Sequence, residues 1–177
     1  MAGLTSQERL QPSLLDRLTD DNRLSQTEAM EARVLSRQQL RAAVLRDIGW
    51  LFNTTRAQPA SEELFPDEHA MWERAGFARH SVLNFGVPAL AGEVLGSLDF
   101  PAIEAQIRQA LIDYEPRIDA ASLAVEVEVD GSADYHHNAL QLVIRGKLWN
   151  QPIPLEILLS AHIDVETGSV AVRDSRA

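Results

Sequence analysis

The spacing of apolar positions changes once along this chain, from a helical period to an alternation of two, and the change falls at Pro116. Before it, Ile103, Ile107, Ala110, Leu111 and Tyr114 form one apolar stripe, with Glu104, Gln106, Arg108 and Gln109 mostly off it. This predicts an amphipathic helix that needs a sheet to pack on. Asp99 caps its start with a side-chain oxygen, and Pro101 is tolerated in the first turn, where its missing N–H would have no partner. Pro116 ends it by disfavouring helical backbone at Glu115. A second helix is announced by the capping-box spacing of Ser36 and Gln39. Its apolar face carries Leu40, Val44, Ile48, Leu51 and Phe52, closes at Asn53–Thr55, and leaves Arg41 and Arg46 projecting elsewhere. Further upstream, Ser13–Leu18 can make two helical turns with Leu14, Leu15 and Leu18 on one side; so short a helix must dock on its own domain or on a partner. A helical stretch is also expected around Thr27–Leu35, where Met30, Val34 and Leu35 are apolar.

After Pro116 the pattern is that of strands with one wet face. Leu123, Val125, Val127 and Val129 alternate with Ala124, Glu126, Glu128 and Asp130, and Asp130-Gly131 opens a long loop through Asn138. Leu140, Leu142, Ile144 and Leu148 then alternate against Gln141, Arg145 and Lys147, which sets Arg145 and Lys147 across from Glu126 and Glu128. After a turn at Asn150–Pro152, Ile153, Leu155, Ile157, Leu159, Ala161 and Ile163 point inward, with Glu156, Ser160 and His162 on the other side. Val165–Gly168 turns into a short strand with Val170 and Val172. The expected fold is α+β: N-terminal helices, then a four-stranded antiparallel β-meander covered by the Ile103–Tyr114 helix. Residues 1–33 are read as an N-terminal extension with a short docking helix, its first eleven residues polar, and residues 34–177 as the α+β domain. Between Ala57 and Phe100, prolines and glycines break the pattern into loops and short helices. Within that region Ser81–Leu90 is unusually apolar: it lines the core or forms a partner-binding surface, and the core is the expected place.

Composition narrows the possibilities. With 177 residues, 45% of them hydrophobic, the chain suits one ordinary domain, and a net charge of −10 argues against nucleic acid or anionic membrane as partners. Without cysteine there is no disulfide, thiolate metal site or cysteine nucleophile. No apolar run has the length of a signal peptide or a membrane span, so a soluble, cytoplasmic protein without direct membrane insertion is expected.

The candidate site is the charged elbow Glu115-Pro116-Arg117, where a stiff X-Pro-X turn fixes an acid and a base in direction. Such a corner serves as a polar docking point or as an internal brace. Asp113 near Glu115 invites a glycosidase reading, but the two side chains diverge on a helix, and Arg117 would lower rather than raise the pKa of an acid beside it. His136-His137 with Asp134 offers too few converging ligands for a metal; His69, His80 and His162 are isolated. No phosphate loop, dinucleotide fingerprint or nucleophile elbow is present, so neither cofactor nor metal is expected, and no catalytic residue. The edges of the meander, in contrast, can accept a strand from another chain, although a final strand as short as Ser169–Arg173 is equally a device against pairing.

The ordered set Ser13–Leu18, Arg46–Thr54, Ser81–Pro88 and Glu115-Pro116-Arg117 resembles TssE, the gp25-like baseplate subunit of type VI secretion systems, whose phage relatives carry a historical lysozyme label. The resemblance does not extend to residues 1–11 and 57–75. It implies a non-enzymatic wedge adaptor that links the wedge to the contractile sheath and starts sheath polymerisation, in a cytoplasmic baseplate docked on the inner-membrane complex. It implies wedge contacts at Glu115, Pro116 and Arg117, with further ones at Leu14, Leu15, Asp16 and Leu18 and on the apolar loop Ser81–Leu90, with TssF, TssG and TssK as wedge partners and TssB and TssC as sheath partners. The alternative is a peptidoglycan-cleaving hydrolase using Glu115.

Overall fold

A computed structural model describes residues 13–18, 35–57, 59, 62–128, 139–149 and 154–175. The helix expected around Thr27–Leu35 lies outside these apart from Leu35, as do the His136-His137 loop and the Asn150–Pro152 turn. Among the described residues five α-helices precede the sheet: α1 (Leu14–Leu18), α2 (Arg37–Phe52), α3 (Pro66–Arg74), α4 (Gly76–Arg79) and α5 (Phe100–Tyr114).

Helix α2 starts on the expected capping box: Ser36 Oγ accepts the Gln39 N–H at 3.2 Å and Gln39 Oε1 accepts the Ser36 N–H at 2.8 Å. It buries Leu40, Ala43, Val44, Ile48, Leu51 and Phe52. Helix α5 is capped by Asp99 Oδ1, which accepts the Ala102 N–H at 3.1 Å, and buries Ile103, Ile107, Ala110 and Leu111. Four strands follow in a meander, β1 (Ala124–Glu128), β2 (Ala139–Leu148), β3 (Leu155–Asp164) and β4 (Val170–Asp174), each antiparallel to its neighbour. Inward residues of the sheet share one apolar cluster with the buried residues of both long helices. Helix α5 lies against β1 and helix α2 against β4, so the two outer strands meet different helices.

These helices also reach the backbone of the outer strands. Glu104 Oε1 accepts the Val127 N–H at 2.8 Å, and Arg108 Nε donates to the Leu123 carbonyl at 3.2 Å. On β4, the Asn53 amide donates to the Val170 carbonyl at 2.9 Å and accepts its N–H at 3.0 Å, while Arg41 pairs with Asp174 at 2.8 Å.

One expected cross-strand pair is corrected. Arg145 reaches Glu126, but Lys147 is opposite Glu156, and Glu128 is opposite Gln141. Pairing counts outward from the loop, and β1 starts only at Ala124, so Lys147 falls beyond its end, where its N–H donates to Ser122 Oγ at 2.9 Å.

The apolar stretch Ser81–Leu90 divides between core and solvent. Val87 and Leu90 are buried and Phe85 is half-buried, whereas Val82 and Leu83 stand in solvent on a 3-10 turn, Val82–Asn84. The core part is fastened to the segment after α2: the Val87 N–H donates to the Thr54 carbonyl at 2.8 Å and Arg56 N–H to the Val87 carbonyl at 3.0 Å. Gly86 permits this approach, because its φ is +136° and a Cβ there would lie 2.4 Å from the Thr54 oxygen. Among the described residues no helix is long and apolar enough to cross a membrane.

Candidate partner-binding site

Glu115 closes α5, its N–H donating to the Leu111 carbonyl at 2.9 Å, and its side chain turns inward until the residue is 2% exposed. Arg117 encloses the carboxylate: Nε donates to Oε1 at 2.6 Å, Nη2 to Oε2 at 2.5 Å, and the Arg117 N–H to Oε1 at 3.2 Å. Pro116 makes this possible by fixing a tight elbow, so that two residues apart in sequence meet side on. The corner is sewn to the end of β2 by the Trp149 N–H, which donates to the Arg117 carbonyl at 2.7 Å.

From there a string of alternating charge crosses three helices. Arg117 Nη2 also donates to Asp47 Oδ2 at 2.6 Å, and Arg46 Nε to Asp47 Oδ1 at 2.8 Å. Arg46 Nη1 reaches Asp16 Oδ1 of α1 at 2.8 Å, and Asp16 Oδ2 accepts from the hydroxyl of Ser13 at 2.6 Å and its N–H at 3.2 Å. Burial works against the Arg117 charge, but the Glu115 and Asp47 carboxylates outweigh it and hold the guanidinium well above its ordinary pKa. Burial is likewise overcome at Arg46, by Asp16 and Asp47, so its pKa rises. At Asp16 burial would raise the pKa, yet the Ser13 hydrogen bonds and Arg46 hold the carboxyl below its usual value. Arg117 Nη1 is buried without a partner among the described residues.

The string determines what faces outward. With Asp16 turned to Arg46, Leu14 and Leu18 are each 73% exposed and Leu15 is also exposed. Pro116 is exposed and Arg117 partly so, while Glu115 is not. Trp50 stands half in solvent with the Arg46 guanidinium 5.3 Å from its ring centroid, and Trp149 is exposed beside the corner. Arg46, Asp47 and the two tryptophans were not among the expected site residues, although Arg46, Asp47 and Trp50 lie in the Arg46–Thr54 stretch that carries the family resemblance.

Asp113 belongs to a different group: Oδ2 meets His80 Nδ1 at 2.7 Å and Oδ1 accepts from Gln109 Nε2 at 2.8 Å. Between them, Tyr114 sends its hydroxyl to the carbonyls of Ser81 at 2.9 Å and Asn84 at 2.8 Å, and its ring meets Phe85 edge-on at 5.2 Å. Three successive residues at the end of α5 thus fasten three different neighbours. No group of three or more histidines, aspartates or glutamates able to hold a metal occurs among the described residues.

The charge string thus holds the leucine-bearing α1 against an α+β scaffold. A family model, the baseplate wedge protein gp25, matches residues 38–153, and the chain belongs to that family, with the structural role in a baseplate that this carries. The match takes in Asp47, Glu115 and Arg117, and leaves out α1, β3 and β4. Comparison with curated proteins and with solved structures gave no match.

Proposed function

We propose that this protein is the TssE-type wedge adaptor of a type VI secretion baseplate, without enzymatic activity of its own. It joins the wedge to the contractile sheath and starts sheath polymerisation, in a cytoplasmic baseplate docked on the inner-membrane complex. The observation that carries the reading is the charge string in a gp25-family chain: it presents Leu14, Leu15 and Leu18 to solvent, beside Pro116 and the outer edge of Arg117. In this reading residues 1–33 are an extension that carries α1, and its leucines with Pro116 and Arg117 meet the wedge subunits TssF, TssG and TssK. Asp16 and Glu115 act from behind, as the groups that hold those contacts in position. A sheet edge receives strands of the sheath subunits TssB and TssC; an arriving strand must displace Asn53 from Val170 or Glu104 from Val127. Peptidoglycan cleavage is the weaker reading, because both Glu115 oxygens accept from Arg117 and Asp113 is bonded to His80 and Gln109.

The test is capture of the wedge subunits by wild type, Leu14→Ser/Leu18→Ser and Arg117→Ala, with thermal melting of each. The leucine variant should melt like wild type, because both side chains are exposed, and lose capture. Full capture by that variant sinks the docking role of α1, and peptidoglycan breakdown that disappears in Glu115→Gln sinks the non-enzymatic reading.

A further inference from the structure

A second surface, separate from the charge string, is built on α3, α4 and the turn that follows. Neither helix buries a residue. Phe77 is 99% exposed, Val82 82% and Leu83 85%, and Met71 on α3 is also largely in solvent. Isolated apolar side chains on a surface need no explanation, but here the elements that carry them, α3, α4 and the Val82–Asn84 turn, are in contact with one another in series. Nor is the turn a slack loop. Tyr114 bonds the carbonyls of Ser81 and Asn84, the Asn84 amide donates to the Arg79 carbonyl at 3.0 Å, and Ser81 Oγ accepts the Leu83 N–H at 3.3 Å. These bonds fix the backbone that presents Val82 and Leu83, so little backbone freedom remains to be lost on contact.

The charge around this patch selects its occupant. Residues 62–85 carry a net charge of −3, from five acids and two arginines, and one of those arginines, Arg79, is already paired with Glu73 at 3.0 Å. Asp67 and Glu68 are four and three residues before Met71, so they share its face of α3. Like charge works against a second copy on the same patch and against an anionic bilayer. We infer that Phe77, Val82, Leu83 and Met71 form a docking surface for an amphipathic helix of a partner protein, with an apolar stripe that covers these side chains and lysines or arginines that meet Asp67 and Glu68. This surface is independent of the wedge contacts proposed for α1.

The full chain is titrated with a leucine–lysine amphipathic helical peptide of about 18 residues, roughly five turns. Wild type should bind it and ignore the leucine–glutamate counterpart. Phe77→Ser/Leu83→Ser should weaken binding about tenfold or more with unchanged melting. Asp67→Lys/Glu68→Lys should reverse the preference between the two peptides, and Leu14→Ser/Leu18→Ser should bind like wild type. Equal binding by the Phe77/Leu83 variant, equal loss in the Leu14/Leu18 variant, or an unreversed preference overturns the inference. So does a large fall in melting temperature of the Phe77/Leu83 variant, which would make those residues part of the core, or binding of wild type to phosphatidylglycerol vesicles in place of the peptide.

Discussion

Arg117 is held by carboxylates on two sides, and removing it leaves Glu115 with its charge buried and unanswered. Breaking one half of such a pair costs about 3–5 kcal/mol, far more than the same deletion at an exposed pair such as Arg145–Glu126. Arg117→Ala should therefore lower stability by that amount in urea unfolding. Replacing both partners with uncharged residues of similar shape, Glu115→Gln with Arg117→Met, should cost less than Arg117→Ala alone, because no charge is then stranded. A double variant at least as unstable as Arg117→Ala would show that the pair is not coupled as drawn. It follows that lost wedge binding in Arg117→Ala has to be judged beside its melting curve, and that the exposed leucines of α1 separate binding from folding more cleanly.

At the scale of elements, α1 is attached to α2 through an ion pair rather than an apolar face. The folded Asp16 carboxyl lies below its ordinary value of 3.8, so its contribution is present above that pH and is lost as pH falls through the folded value. Trp50 reports on this, since Arg46 stands over its ring. The fluorescence difference between wild type and Asp16→Asn should be constant at neutral pH and vanish as the solution is acidified below about 4. A difference unaltered by acid would place the attachment elsewhere. The elements themselves were legible in the sequence wherever the signal was local: the Ser36–Gln39 box, the Asp99 cap, the Pro116 stop and the alternation after Leu123 each depend on residues a few positions apart. What was not legible joins distant positions. Asp47 and Arg117 are 70 residues apart, and Tyr114, read as one more member of an apolar stripe, finds its hydroxyl's partner 33 residues back at Ser81. The Lys147 misplacement has the same origin, because register depends on where the loop ends and β1 begins, and alternation is blind to both.

For the molecule as a whole, the sheet runs in sequence order, yet its closure does not. The strand at one edge is held by α2, far upstream in the chain: Asn53 is 117 residues from Val170, and Arg41 pairs with Asp174 at 2.8 Å. Asn53→Ala, which removes both bonds to Val170, should cost about 1–2 kcal/mol. Hydrogen exchange at the Val170 amide should quicken in that variant while Val127, held by Glu104 at the other edge, stays protected. Equal quickening at both would mean that the two edges open as one unit.

The same clasp bears on how the chain is made. Synthesis delivers α2 from the ribosome long before β4 exists, and at about 5–20 residues per second the separation of 117 residues amounts to roughly 6–23 seconds. Throughout that interval Leu40, Val44, Ile48, Leu51 and Phe52 lack the completed sheet whose inward residues share their cluster. An amphipathic helix left waiting with so much apolar surface is a natural substrate for ribosome-associated chaperones, and a chain cut short before β4 would leave α2 without the strand it packs against.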